Sequence, residues 1–129
     1  MIKPSTYAAI DTLIARYPAL APCAVDIRAA IEALVTSYRT GGKLIVCGNG
    51  GSASDAEHIV GELMKGFLLP RHLGEDLLEK LHEECDATDP KTVDYFMQNL
   101  QGALPAISLP SQLAISTAFS NDQAPDLTF

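Results

Sequence analysis

Residues 43–67, KLIVCGNGGSASDAEHIVGELMKGF, decide the fold of this chain. A short apolar run that ends at Cys47 leads into a glycine turn (residues 48–52, GNGGS), and an amphipathic pattern follows. This order predicts a strand, a tight turn and a helix at 53–66, with Ser52 as its N-cap. The start of such a helix carries unpaired N–H groups and the positive end of the helix dipole, and glycine lets an anion approach the backbone. The segment therefore predicts an anion-binding turn suited to a phosphate.

His58 and Glu62 lie four residues apart in this helix, so both side chains project from one face. An exposed pair at this spacing stabilises a helix by about 0.2–0.5 kcal/mol without having any function. The same side chains bind divalent metals, although two ligands do not complete a site. A carboxylate beside an apolar face also suits a general base. Because the helix begins at the anion-binding turn, we interpret the pair as part of a functional site.

Apolar spacing elsewhere predicts five further helices and a second strand. The helices are expected at 5–17, 23–40, 74–85, 90–100 and 112–119, and the strand at 105–109. Ser111 is the expected N-cap of the last helix, and Phe67 is expected to be buried. We interpret the chain as a single α/β domain with a parallel sheet flanked by helices. Its expected parts are N-terminal helices (1–42), a strand–turn–helix unit (43–67), a helical insertion (68–104), a strand–helix unit (105–122) and a tail (123–129).

Composition narrows the class of partner. The 129 residues are 47% hydrophobic and 19% charged, with a net charge of −7. An acidic chain of this kind is a poor binder of nucleic acid or of an anionic membrane, and no apolar run is long enough to span a bilayer. The low charged fraction suggests burial of some surface against another subunit. Three cysteines make no disulfide framework, Cys47 is interpreted as a small core residue, and we expect a cytoplasmic protein.

A nucleotide site is the first alternative for the glycine turn. Gly48, Gly50 and Ala53 match the dinucleotide pattern G-x-G-x-x-A. That pattern also needs an acidic residue after a second strand about 20 residues on, where this chain has helix and insertion. No Lys-Ser/Thr pair follows the glycines, as a Walker phosphate loop would require. We therefore predict no nucleotide cofactor, and a tight turn without any ligand remains the other alternative.

Two segments of the chain resemble a known family. CGNGGSASDAEHIVGEL at 47–63 and PAISLPSQLAISTAFSND at 105–122 are similar to the sugar isomerase (SIS) domain family, and specifically to its phosphoheptose isomerase group. The resemblance implies a Rossmann-like SIS domain with a parallel sheet and an N-terminal helix pair. The family's second phosphate-binding loop and a late Gln and His would follow Phe129. We therefore expect the chain to be incomplete at its C-terminus and to hold about half of a site.

The resemblance also implies an activity and a set of site residues. Its members interconvert sedoheptulose 7-phosphate and a manno-heptose 7-phosphate through an enediol. By position, the implied substrate contacts are Asn49, Gly50, Gly51, Ser52, Glu62, Asn121 and Asp122. Glu62 would be the catalytic base, and His58 and Glu62 would be ligands of the zinc found in some members. The implied assembly is a homo-oligomer, a dimer or tetramer formed through the N-terminal helices.

Two functions stay open on the sequence alone. The first is an isomerase acting on a sugar phosphate. The second is a non-catalytic SIS module that binds phosphosugars or docks onto another protein, for which the helical insertion at 68–104 would be suited. Turnover that is lost in Glu62→Gln while binding is kept distinguishes the two.

Overall fold

The computed structural model describes residues 2–84 and 90–129, except for the side chain of Pro90. In chain order the elements are α1 (Pro4–Arg16), a 3₁₀ helix (Pro18–Cys23), α2 (Ala24–Arg39), β1 (Leu44–Val46), α3 (Gly51–Met64), α4 (Glu75–Glu84), α5 (Pro90–Asn99), β2 (Ala106–Ser108), α6 (Leu113–Asp122) and a second 3₁₀ helix (Pro125–Leu127). Helices thus accompany a small parallel two-stranded sheet, which confirms the α/β class. The chain divides into two compact units, Met1–Leu44 and Ile45–Phe129.

The first unit is a pair of helices joined by the 3₁₀ helix. Ile10 of α1 is its one buried residue among those described. The hydroxyl of Tyr7 donates to the Glu32 carboxylate of α2 at 3.0 Å, and Arg28 of α2 pairs with Asp11 of α1. The hydrogen bond to Glu32 raises the pKa of Tyr7, because ionising the phenol would remove the donated proton and place a second negative charge beside the carboxylate.

Two glycines follow the end of α2. Gly41 has φ 77°, the left-handed conformation that follows many helix C-termini. The amide of Gly42 then donates to the carbonyl of Ser37 at 2.8 Å, and the amide of Gly41 donates to that of Tyr38 at 3.3 Å. These two bonds form a Schellman motif, which satisfies carbonyls that the helix end leaves unpaired.

The second unit is built on the contact between α3 and β2. Ala56 of α3 and Ala106 and Ser108 of β2 are buried. Small side chains on both elements let the helix approach the sheet closely. The amide of Leu109 donates to the carbonyl of Val46 at 2.9 Å, which extends the pairing of the two strands to their carboxyl ends. The residues that follow β1 and β2 therefore leave the sheet side by side.

Several sequence expectations need correction. Phe67 was expected in the core, but it is 73% exposed, because the chain leaves the helical path after Met64. Cys47 was also expected in the core and is exposed, since β1 ends at Val46. The helix expected at 74–85 ends at Glu84 in the described part, and Cys85 lies outside the described residues.

None of the helices within residues 2–84 and 90–129 combines the length and the apolar composition that crossing a membrane requires.

Candidate functional site

The glycine turn is set by the backbone of Gly50. Its φ of 58° and ψ of −124° lie in a region that side chains make costly, and glycine adopts it freely. The amide of Ser52 donates to the carbonyl of Asn49, and the amide of Ala53 donates to the carbonyl of Gly50, both at 3.1 Å. The helix therefore begins at Gly51, with Gly50 at the N-cap. The prediction of Ser52 as N-cap is wrong, because Ser52 already lies in the first helical turn and no side chain caps this helix.

The three glycines of the turn have different structural roles. A Cβ on Gly48 would lie 2.5 Å from the carbonyl oxygen of Ser52, so the close approach of strand end and helix start requires glycine there. Position 50 requires glycine because its φ is positive. A Cβ on Gly51 would meet nothing within 4 Å, and the φ of Gly51 is not positive. The turn itself therefore does not need glycine at position 51, and its absent side chain leaves the N-terminus of α3 open to a ligand.

A cleft of about 740 Å³ opens beside this turn. Its walls are the turn, the start of α3, the loop after β2, one face of α6 and the last residues of the chain. The lining residues are Gly48, Asn49, Gly50, Ala53, Pro110, Ser116, Thr117, Ser120, Pro125, Asp126, Leu127, Thr128 and Phe129. The volume suits a small ligand, and the position beyond the carboxyl ends of both strands is where open α/β sheets bind ligands.

Hydroxyl groups of α6 form the wall opposite the turn. Ser116 and Thr117 line the cleft, but their hydroxyls donate to the carbonyl of Leu113 at 3.1 and 2.6 Å. Ser120, one turn further on, lines the same cleft and makes no such bond within its helix. Sequence reasoning missed these residues, although serines at positions 116 and 120 share one helix face by their spacing.

Asn121 and Asp122 lie beside the cleft wall, outside the set of lining residues. The helix expected to end at 119 continues to Asp122, so both side chains belong to its last turn. They are exposed, and the Asn121 amide donates to the Asp122 carboxylate at 2.8 Å. Ser111 was expected to cap this helix, but Gln112 occupies that position, and the Ser111 hydroxyl donates to the Glu57 carboxylate at 3.0 Å.

His58 and Glu62 are paired, but they do not line the cleft. His58 Nε2 lies 3.6 Å from Glu62 Oε1, and the two side chains are 76% and 35% exposed. At about 1.5 Å per residue, Glu62 lies roughly 16 Å along the helix axis from Gly51. The structure therefore confirms that both residues share a helix face, and it places that pair away from the glycine turn of the same chain.

The described residues supply part of a metal-ligand set. His58 and Glu62 present a nitrogen and an oxygen that a zinc ion could bind together. Among residues 2–84 and 90–129, no three His, Cys, Asp or Glu side chains come together to hold a metal ion. A tetrahedral zinc needs four ligands, so these residues fit two of its positions and leave the others open.

Comparison with known proteins agrees with the arrangement of strand, glycine turn and helix. The model of the SIS domain family matches residues 12–108. The chain is 35% identical over 103 residues, 80% of its length, to the phosphoheptose isomerase of Roseiflexus sp. (strain RS-1). It is 33% identical over 128 residues to that of Geobacter sp. (strain M21), and 32% identical over 128 residues to that of Citrifermentans bemidjiense, in each case over 99% of its length. The matched region covers 37% of the first relative and 50% of the other two, so the chain spans at most about half of their length.

Substituting the glycines of the turn tests its geometry. Gly50→Ala is expected to lower the free energy of unfolding by about 1–3 kcal/mol, because alanine is strained at positive φ. Gly51→Ala is the matched control, since its new methyl group meets open space and alanine favours the helix by up to about 1 kcal/mol. Urea unfolding of both variants measures the difference. Equal stability of the two variants would contradict the assigned turn.

Proposed function

Because the chain belongs to the SIS domain family, we propose that the protein is a phosphosugar isomerase that interconverts sedoheptulose 7-phosphate and a manno-heptose 7-phosphate through an enediol. The observation that carries the proposal is the open N-terminus of α3 at the glycine turn, facing a cleft of small-molecule size. The relatives named phosphoheptose isomerase support the choice of substrate.

The cleft favours one orientation of a sugar phosphate. Its lining contains no Lys or Arg, and it contains Asp126. The attraction for a phosphate must therefore come from the N–H groups and dipole at the start of α3, beside Gly50 and Gly51. Sugar hydroxyls would face Ser120 and Asp126, whose oxygens accept hydrogen bonds from them. Of the other predicted contacts, Asn49 lines this cleft, and Ser52, Asn121 and Asp122 are not among its lining residues.

Glu62 is the proposed base of the isomerisation. Its carboxylate would take a proton from C1 of the ketose while the C2 carbonyl oxygen gains a proton, which gives the enediol. Returning the carbon-bound proton to C2, as the C1 hydroxyl loses its own proton, then gives the aldose. Glu62 is half-buried and lies against His58, the arrangement expected of a carboxylate with a fixed direction. General base catalysis of this kind contributes about 10²–10⁴-fold to a rate.

The distance between the cleft and Glu62 supports an oligomer. Glu62 begins roughly 16 Å along α3 from Gly51 and is not among the residues that line the cleft. We propose a homo-oligomer, assembled through the N-terminal helices in the cytoplasm, in which Glu62 faces substrate held by another copy. The exposed side chains of Tyr17, Val25 and Leu34 in the first unit support such burial. A monomeric mass in sedimentation equilibrium, with full turnover, would contradict it.

The same distance is the observation that favours a second function. A cleft that binds a sugar phosphate without a base in reach is also what a non-catalytic phosphosugar sensor requires. Binding of sedoheptulose 7-phosphate by the oligomeric protein without any turnover would favour this alternative.

We propose that the active site holds zinc, and that His58 and Glu62 are the two ligands supplied by α3. Bound zinc would polarise an oxygen of the substrate. We expect the purified protein to hold zinc by elemental analysis, and His58→Asn to lose it. His72→Asn is the control, because His72 is an exposed histidine outside α3. Equal zinc content in both variants would contradict the assignment.

Replacing the base separates binding from chemistry. Glu62→Gln is expected to lower the rate of sedoheptulose 7-phosphate isomerisation by about 10²–10⁴-fold, because the amide cannot accept the proton. The dissociation constant of the substrate, from calorimetry, should change little. Glu79→Gln removes a carboxylate from the exposed face of α4 and should keep the wild-type rate. Unimpaired turnover in Glu62→Gln would overturn the assigned role.

A further inference from the structure

Arg71 binds the C-terminal end of α3 through its guanidinium group. The group donates to the carbonyl of Leu63 at 2.6 Å and to that of Glu62 at 3.4 Å. Its Nε atom donates to the carbonyl of Gly102 at 2.7 Å. The side chain is half-buried, and it therefore joins the last turn of α3 to the segment that leads into β2.

These bonds complete the end of a helix that has no basic residue in its last turn. The carbonyl of Gly61 is paired with the amide of Lys65, and the carbonyl of Leu63 also accepts from the amide of Leu104 at 2.9 Å. The guanidinium donates a hydrogen bond to the carbonyl of Glu62 and a second hydrogen bond to the carbonyl of Leu63. A cation at this position also complements the negative end of the helix dipole.

The segment around Arg71 is tightly fitted. The amide of Arg71 donates to the side-chain oxygen of Gln101 at 3.2 Å, and the amide of Gly102 donates back to the carbonyl of Arg71 at 2.8 Å. Gly66 is buried here, and a Cβ on it would lie 2.8 Å from the carbonyl of Leu69 and closer still to Gln101. The first and last residues of the insertion are thus packed together at the end of α3.

Arg71 holds the backbone of Glu62 without neutralising its carboxylate. The guanidinium bonds the carbonyls of Glu62 and Leu63, while the Glu62 carboxylate lies beside His58. A direct ion pair would compete with the acceptance of a proton by that carboxylate. Bonding through carbonyls instead fixes where the residue lies and places no guanidinium against a carboxylate that already faces His58.

We propose that Arg71 is a positioning residue, which fixes the last turn of α3 and so sets the location of the Glu62 carboxylate. The proposal rests on the proposed function for the role of Glu62, but the fixing of the helix end can be measured without turnover. Misplacing a reacting group by about 1 Å costs about 10²-fold in rate, so loss of the bond from Arg71 should lower kcat strongly.

The test compares Arg71→Met, Arg71→Lys and a control, Lys65→Met, in the oligomeric protein. Lys65 is exposed and lies at the same helix end, so its loss removes a like charge without removing these bonds. Arg71→Met is expected to increase amide hydrogen exchange in the last turn of α3 and to lower kcat by about 10²-fold, with the substrate dissociation constant nearly unchanged. Arg71→Lys should restore part of the protection against exchange and part of kcat. Lys65→Met should resemble wild type in both quantities.

The outcomes separate this inference from the proposed function. Faster exchange together with lower kcat supports the positioning role, and unchanged exchange overturns it. Faster exchange with unchanged kcat also overturns it, since Glu62 would then work without the fixed helix end. If wild type binds sedoheptulose 7-phosphate without turnover, the isomerase proposal fails, and exchange in α3 alone then decides whether Arg71 fixes the helix. If Arg71→Met does not fold, Arg71→Lys carries the same comparison.

Discussion

The backbone conformation of Gly50 is the constraint on which the second unit depends. Its positive φ ends the path of β1 and starts α3 one residue later. Gly48 allows the end of β1 and the start of α3 to approach each other, because any side chain at position 48 would collide with Ser52. Together these residues place the N-terminus of a 14-residue helix beyond the ends of both strands, while its body packs on β2 through Ala56. The cleft and the open backbone N–H groups follow from that placement.

The two ends of α3 have complementary electrostatic roles. The chain is acidic overall, with a net charge of −7, and the cleft lining holds no basic side chain. An anion there must be attracted by the helix itself, whose N-terminus is left without a side-chain cap. At the opposite end, the guanidinium of Arg71 takes up the carbonyls of the last turn. One helix thus offers its positive end to a ligand and has its negative end satisfied within the protein.

Local patterns in the sequence predicted most of the elements. The glycine turn was placed correctly, because Gly48 imposes a close approach and Gly50 a positive φ. The spacing of His58 and Glu62 placed them on one face for the same local reason. The helix caps were less predictable. Ser52 and Ser111 looked like caps, but backbone geometry at Gly50 and a bond to Glu57 displaced them from that role.

Contacts between distant parts of the chain could not be derived from local patterns. Arg71 lies in the predicted helical insertion, and its partners at 62–63 and 102 become its neighbours only in the folded chain. Ser120 became a cleft residue only through the direction of α6. The burial expected for Phe67 failed because it depended on the helix continuing past Met64.

The glycine turn is proposed to bind the phosphate of a sugar phosphate. This binding can be followed by the backbone amide chemical shifts of the isotope-labelled protein, titrated with sedoheptulose 7-phosphate and separately with unphosphorylated sedoheptulose. We expect large shifts at the amides of residues 49–53 with the phosphorylated sugar and much smaller ones with the unphosphorylated sugar. Equal shifts with both sugars, or shifts confined to residues outside the cleft, would contradict it.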